Sequence, residues 1–83
     1  MTTETAVNVP KLGVSMTEAT LVSWLVDDGR EVREGEAICT IETDKVEQEV
    51  EAPVAGTLVH WALLGEVYPV GERLALIESP AGS

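Results

Sequence analysis

Eighty-three residues make one small domain, and a chain of this size buries only roughly 60–65% of its unfolded surface, which leaves no room for a deep substrate cavity. Fifteen acidic against five basic residues give a net charge of −10, which excludes nucleic acid as a partner because phosphate contacts need surplus Lys and Arg. The same balance suits a soluble module that docks on basic protein surfaces, or simply a well-solvated exterior. Hydrophobic residues make up 45% of the chain, enough for a core, but Phe is absent and Trp24, Trp61 and Tyr68 are its only large aromatic groups.

Taken in order, Met1 to Thr5 is polar and reads as a disordered tail, residues 1–5. Glu18 to Val26 fits either an amphipathic helix or a strand. It is read as a strand because a later copy, Thr57 to Trp61, follows Pro53 and Gly56 and is too short and β-branched for a helix. Asp27-Asp28-Gly29 and Gly35 mark turns. Ile38 to Thr40 is strand-like and holds Cys39, the single cysteine, which is read as a small core residue rather than a nucleophile. With no partner for a disulfide, a reducing compartment is expected. From Val46 to Glu51, Val46, Gln48 and Val50 alternate with Glu47, Glu49 and Glu51, a period of two with one charged face. That face reads as solvation and edge protection, since it lacks the loop and glycine of a calcium site. Pro53, Gly56, Gly65, Pro69 and Gly71 continue the close punctuation, which favours short strands and tight turns over βαβ units. Ser79-Pro80-Ala81-Gly82-Ser83 is linker-like, so the folded body is expected over residues 6–78, with 79–83 a tail. No apolar stretch approaches membrane-spanning length, and no signal-peptide pattern opens the chain.

The second half echoes the first. Thr20-Leu21-Val22-Ser23-Trp24 matches Thr57-Leu58-Val59-His60-Trp61 at an offset of 37. After a one-residue deletion, Gly29 matches Gly65, Val32 Tyr68, Gly35-Glu36 Gly71-Glu72, Ile38 Leu74, Ile41-Glu42 Ile77-Glu78 and Thr43 Ser79. Two copies are too few for a solenoid and point to a closed, pseudo-twofold domain. Trp24 and Trp61 take equivalent positions and are read as packing residues. His60 matches Ser23, reads as a solvent-facing strand residue, and has no nearby Cys or His to complete a metal site.

Lys45 is the only basic residue between Glu34 and His60, and its neighbours read as the tip of a β-hairpin. A Schiff-base lysine needs a depressed pKa, from desolvation or cationic neighbours. Glu42, Asp44 and Glu47 do the opposite, favouring the protonated ammonium. Lys45 is therefore expected to accept an activated acyl group that another enzyme supplies, rather than to catalyse.

Glu42-Thr43-Asp44-Lys45-Val46, then Glu49-Val50-Glu51-Ala52-Pro53 and Gly56-Thr57-Leu58, resemble the lipoyl domain of 2-oxo acid dehydrogenase complexes, within the biotinyl/lipoyl attachment family. Pro10-Lys11-Leu12-Gly13 with Ser15-Met16-Thr17-Glu18, then Trp24, Gly29, Gly35-Glu36 and Val70-Gly71-Glu72 through Ile77, extend the likeness from Val7 to Glu78. The resemblance implies an all-β fold, a flattened barrel or sandwich of two four-stranded antiparallel sheets with quasi-twofold symmetry. It implies lipoic acid in amide linkage to Lys45, with Glu42, Thr43, Asp44 and Val46 shaping the turn for the lipoate-attaching enzyme. The segment Leu12, Gly13, Val14, Ser15 and Met16 would be a partner-recognition loop beside the lysine. The chain itself would be a carrier, not an enzyme, and monomeric when isolated. Its partners would be a thiamine-dependent 2-oxo acid decarboxylase, an acyltransferase core and dihydrolipoyl dehydrogenase, with no nucleic acid and no membrane. The compartment would be bacterial cytoplasm or mitochondrial matrix. Ala19 stands where many members have Gly, and Val14 where others are acidic or polar.

Two other readings share the lysine. Biotinyl domains have the same fold but flank their lysine with Met, where this chain has Asp44 and Val46; the glycine-cleavage carrier is longer with another lysine context. An unmodified structural or docking module, with Lys45 inert, is the alternative of a different class. Gly13 to Glu18 resembles pyruvate, acetoin or branched-chain members, while Glu18-Ala19-Thr20 and Asp44-Lys45-Val46 also resemble 2-oxoglutarate members, so the 2-oxo acid stays open.

Overall fold

A computed structural model describes residues 2–11, 16–44 and 46–80. It contains eight strands: β1 (Thr2–Asn8), β2 (Glu18–Trp24), β3 (Glu31–Val32), β4 (Ala37–Glu42), β5 (Glu47–Glu51), β6 (Gly56–His60), β7 (Val67–Pro69) and β8 (Arg73–Pro80). No helix occurs among the described residues, so Glu18 to Trp24 is strand. The strands form two antiparallel four-stranded sheets, ordered β1-β8-β6-β3 and β5-β4-β2-β7. This is the two-sheet, all-β architecture that the family resemblance implies, and it agrees with the closed, pseudo-twofold domain expected from the repeat.

The repeat is visible as symmetry. Exchanging β1 with β5, β2 with β6, β3 with β7 and β4 with β8 converts one sheet order into the other. The hydrogen bonds between strands follow the same exchange. Leu21 N–H donates to Glu66 O at 3.1 Å and its mate Leu58 N–H to Arg30 O at 2.8 Å. Gly65 N–H reaches Leu21 O at 2.8 Å and Gly29 N–H reaches Leu58 O at 2.7 Å. Gly29 and Gly65 hold φ of +86° and +83°, the left-handed turn geometry that favours glycine, at matching corners. Val9 with Glu72 and Ala52 with Glu36 form a further matched pair.

Alternation turns one face of each sheet inward. Leu21, Ile38, Ile41, Leu58, Leu74, Ile77 and Cys39 are the largest fully buried side chains, and all belong to one core cluster. Each buried aliphatic side chain of this size contributes about 1.5–3 kcal/mol, so this small set of aliphatics carries most of the favourable free energy.

The ladder between β1 and β8 runs from Asn8↔Arg73 out to Thr2↔Pro80. Residues 2–5 and 79–80, which read as tail by composition, are therefore strand. Polar composition misled here because β1 is an edge strand, where half the side chains face water by geometry; from Thr3 to Asn8 only Val7 is buried. Met1 and residues 81–83 lie outside the described residues.

Topology also separates the two ends of the molecule. Thr20 pairs with Glu42 and Glu18 with Pro69, so the end of β4 lies beside the end of β7. β8 begins four residues after Pro69 and runs for 8 residues away from that end, about 25 Å of strand. The β4–β5 turn and the Thr2–Pro80 pair thus occupy opposite ends of a body measuring 40 × 23 × 18 Å.

Candidate functional site

β4 and β5 are consecutive antiparallel strands, paired from Ala37↔Glu51 to Glu42↔Glu47. Their connection is closed at the neck by Thr43. Its N–H donates to Val46 O at 2.8 Å, its Oγ1 accepts from Val46 N–H at 3.2 Å, and the same hydroxyl lies 3.3 Å from Val46 O as donor. A hydroxyl that bonds the backbone three residues on fixes a turn without tertiary support. Glu42, Asp44 and Val46 are exposed and Thr43 is half-buried, so the turn projects beyond the sandwich. The structure brings Glu42, Thr43, Asp44 and Val46 together in this one turn. Lys45 lies outside the described residues.

Leu12, Gly13, Val14 and Ser15 also lie outside the described residues. Met16, the last residue of that segment, is half-buried and packs on the core. The flanks of the segment are placed at the β4–β5 end: Thr17 O accepts from Val70 N–H at 3.0 Å, and Val9 N–H donates to Glu72 O at 2.9 Å.

The strand registers put Glu18, Glu42, Glu47 and Glu49 on the outer face of the β5-β4-β2-β7 sheet. Glu42 and Glu47 stand directly opposite each other across the hairpin neck, a like-charge pair that costs stability. No strand of this sheet carries a basic residue. Among the described residues no group of three or more His, Cys, Asp or Glu could hold a metal ion. A groove of about 500 Å³ runs between the edge strands β1 and β5, lined by Ala6, Val7, Pro10, Gln48, Val50 and Pro53, and it lies open to solvent. Enclosed pockets that bury most of a ligand are built differently.

Cys39 is fully buried, and burial pushes its thiol from the ordinary 9.0 up to about 12. A thiol so far from ionising is a packing group, not a nucleophile.

Two readings of single residues change. His60 is half-buried instead of facing solvent: its ring stacks on Trp24 at 3.8 Å and 8° between planes, and Nε2 lies 2.8 Å from Val26 O. Its backbone N–H is capped by Asp28 Oδ1 at 2.8 Å. Trp24 is half-buried, but its repeat mate Trp61 is 57% exposed. Symmetry supplies the reason. The mate of the Trp24–His60 stack would be Trp61 on Ser23, and serine has no ring to stack on. Trp61 instead lies under the Arg73 guanidinium, 5.1 Å from the ring centroid.

Fold and site together define a quasi-twofold β-sandwich that presents one four-residue hairpin turn at its end. The chain belongs to the biotin/lipoyl family: the family model described as "Biotin-requiring enzyme" matches residues 5–77. The chain is 47% identical over 70 residues to the dihydrolipoyllysine-residue acetyltransferase component of the acetoin cleaving system of Cupriavidus necator, covering 83% of this chain and 19% of that protein. It is 41% identical over 78 residues to the succinyltransferase component of the 2-oxoglutarate dehydrogenase complex of Staphylococcus saprophyticus, covering 93% of this chain and 18% of that protein. Against the acetyltransferase component of the pyruvate dehydrogenase complex of Mycobacterium tuberculosis, identity is 42% over 70 residues, covering 83% and 13%. The chain thus spans less than a fifth of the length of these relatives.

Proposed function

We propose that this chain is a lipoyl carrier domain of the acyltransferase component of a 2-oxo acid dehydrogenase complex, with Lys45 as the attachment residue. The carrying observation is the exposed turn closed by Thr43 and Val46, which leaves Asp44 and Lys45 as its two central positions. The relatives named as dihydrolipoyllysine acyltransferase components support the choice of lipoate over biotin. The surroundings fit an amide-linked arm. Asp44 and Val46, the residues either side of Lys45, are exposed, which suits a position that carries a long substituent.

Attachment is an acyl transfer. The Lys45 amine, once deprotonated by a base of the attaching enzyme, adds to the activated carbonyl of the lipoyl donor. The new C–N amide bond forms, the bond to the activating group breaks, and that group leaves with its electron pair. The lysine charge is lost and one lipoyl group is gained. When attached, lipoate supplies a dithiolane that carries acyl groups and reducing equivalents. The contribution of the chain is then display. Asp44 and Val46 present the amine, Glu42 and Thr43 shape the turn, and the segment Leu12 to Met16 selects the partner. A tethered arm raises local concentration at each partner site to the millimolar range (order ~1 mM).

In this reading the domain body includes the full ladder from Thr2↔Pro80 to Asn8↔Arg73, and the domain is a non-catalytic monomer. It serves a thiamine-dependent decarboxylase, an acyltransferase core and dihydrolipoyl dehydrogenase, in bacterial cytoplasm or mitochondrial matrix. The test is intact mass after incubation of the unmodified domain with a lipoate-attaching enzyme, lipoate and ATP. Wild type gains one lipoyl group and Lys45→Arg gains none while keeping its β-type circular dichroism. A lipoyl gain in Lys45→Arg removes the site assignment; a biotinyl gain with a biotin-attaching enzyme, and none with lipoate, replaces the function.

A further inference from the structure

The internal repeat offers a control that most small domains lack: each corner of the fold exists twice. At the corner after β2, the chain reads Asp27, Asp28, Gly29, Arg30, Glu31; at the matching corner after β6 it reads Leu63, Leu64, Gly65, Glu66, Val67. The backbone is the same in both. The glycines share one φ, their N–H groups reach the mated leucines, and the turns close by Arg30 N–H to Asp27 O at 3.2 Å and Glu66 N–H to Leu63 O at 3.4 Å. This turn therefore folds with charged residues, and nothing in it requires leucine.

The first corner uses its aspartate, since Asp28 caps the His60 N–H. The second corner buries nothing. Leu63 is 67% exposed, Leu64 58% and Val67 51%. Val22, at 37%, joins them, because Leu21 is bonded to both Gly65 and Glu66 while Thr20 pairs with Val67. Continued by one step, that register places Val22 opposite Gly65, with Leu63 and Val67 as its diagonal neighbours. An apolar group of this kind, not demanded by the fold, marks an interaction site.

Position and charge select the occupant. The corner lies on β2 and β7, one and two strands from β4 in the same sheet that bears the attachment hairpin, about 10–15 Å across. A standard interface of ~800 Å² per partner spans both. Glu18, Glu42 and Glu66 rim the patch, and no strand of the sheet is basic. Before modification the amine stands on only a four-carbon stem, so the enzyme that modifies it must approach the body of the domain itself. Enzymes that meet the loaded arm have its added length to bridge the distance, whether or not they also read the segment Leu12 to Met16.

We propose that Leu63, Leu64, Val67 and Val22 form a docking patch for the lipoate-attaching enzyme, received by an apolar surface edged with Lys or Arg. This rests on Lys45 being the lipoylated residue. The test compares wild type with the double variant Leu63→Ser/Leu64→Ser and with Val67→Glu, which restores the residue of the first corner. Initial lipoylation rates by intact mass, at saturating lipoate and ATP, give KM and kcat for the domain, and biolayer interferometry gives Kd for the attaching enzyme. Both variants fold, as their twin corner shows, and circular dichroism confirms it. The expected result is a rise of about tenfold in KM and Kd with kcat unchanged. KM and Kd within twofold of wild type in both variants overturn the patch while leaving Lys45 as the site. Wild type that accepts no lipoyl group overturns both readings together.

Discussion

Replacing Gly56 by alanine tests the close packing of β6 against β8 within one sheet most directly. Gly56 opens β6 beside β8, and an added methyl would stand 2.5 Å from the Glu78 carbonyl oxygen, 2.7 Å from Ile77 Cγ2 and 2.7 Å from Ser79 Oγ. Ordinary C···O contacts sit at about 3.3–3.6 Å, so β8 must move by close to an ångström. It is held on its far side by β1, and Ser79 Oγ is bonded to Ala55 O at 2.5 Å, so the shift is resisted at both flanks. Forced displacement of this kind costs about 1–3 kcal/mol. A value near ~2.5 kcal/mol lowers Tm by about 10–20 °C in a domain this small. Gly29→Ala is the contrast: nothing lies within 4 Å of its added methyl, and only the φ of +86° opposes it, at about 1–2 kcal/mol. Thermal unfolding followed by circular dichroism at 218 nm (approximately, the β band) should rank Gly56→Ala below Gly29→Ala and both below wild type. A Gly56→Ala midpoint within about 3 °C of wild type would refute the reasoning. Ala19, the repeat mate of Gly56, carries that methyl and is buried at 3%. The β2–β4 side of the sandwich thus accepts what the β6–β8 side does not.

Further outcomes follow from the buried groups. With its thiol raised from 9.0 to about 12, Cys39 ionises more readily unfolded than folded, so its contribution to stability is complete below pH 9 and is lost as pH rises toward 12. Across that window the loss attributable to Cys39 approaches about 1.4 kcal/mol per pH unit; urea unfolding of wild type and Cys39→Ala should show a slope difference there and none at neutral pH. Folded protein should also resist alkylation by iodoacetamide until urea is added, and rapid labelling in buffer would contradict the burial. His60→Ala removes the Trp24 stack and the bond to Val26 O, costing about 1–2 kcal/mol and changing Trp24 emission. Trp61→Ala, at an exposed ring, should stay within about 0.5 kcal/mol of wild type; equal losses in the two variants would show the asymmetry between Trp24 and Trp61 to be wrong.

How much of this was legible beforehand depends on the residue. Period-two alternation and frequent Gly and Pro mark strands because each pleat turns successive side chains to opposite faces, so the all-β class needed no tertiary information. The repeat of Thr20–Trp24 in Thr57–Trp61 carried the twofold, since equal residues at equal spacing take equal places in a closed sandwich. The turn at Thr43–Val46 was legible too, being held by bonds three residues apart. The tail reading at residues 2–5 and 79–80 differed from the structure because an edge strand gains its order from a partner more than 70 residues away, which local composition does not register.

What the sequence by itself determined is the fold class and the internal symmetry, both properties of local pattern or of self-comparison; Lys45 as the group on display is a proposal from the same reading. Tertiary structure alone decided where symmetry breaks. It seats His60 on Trp24 and leaves Trp61 outside because only one of the two stacks has a second ring. It sets Leu63, Leu64 and Val67 on the hairpin's own sheet because β7 crosses over to pair with β2. Such juxtapositions depend on which strands become neighbours, and that is settled by burial of the whole core at once.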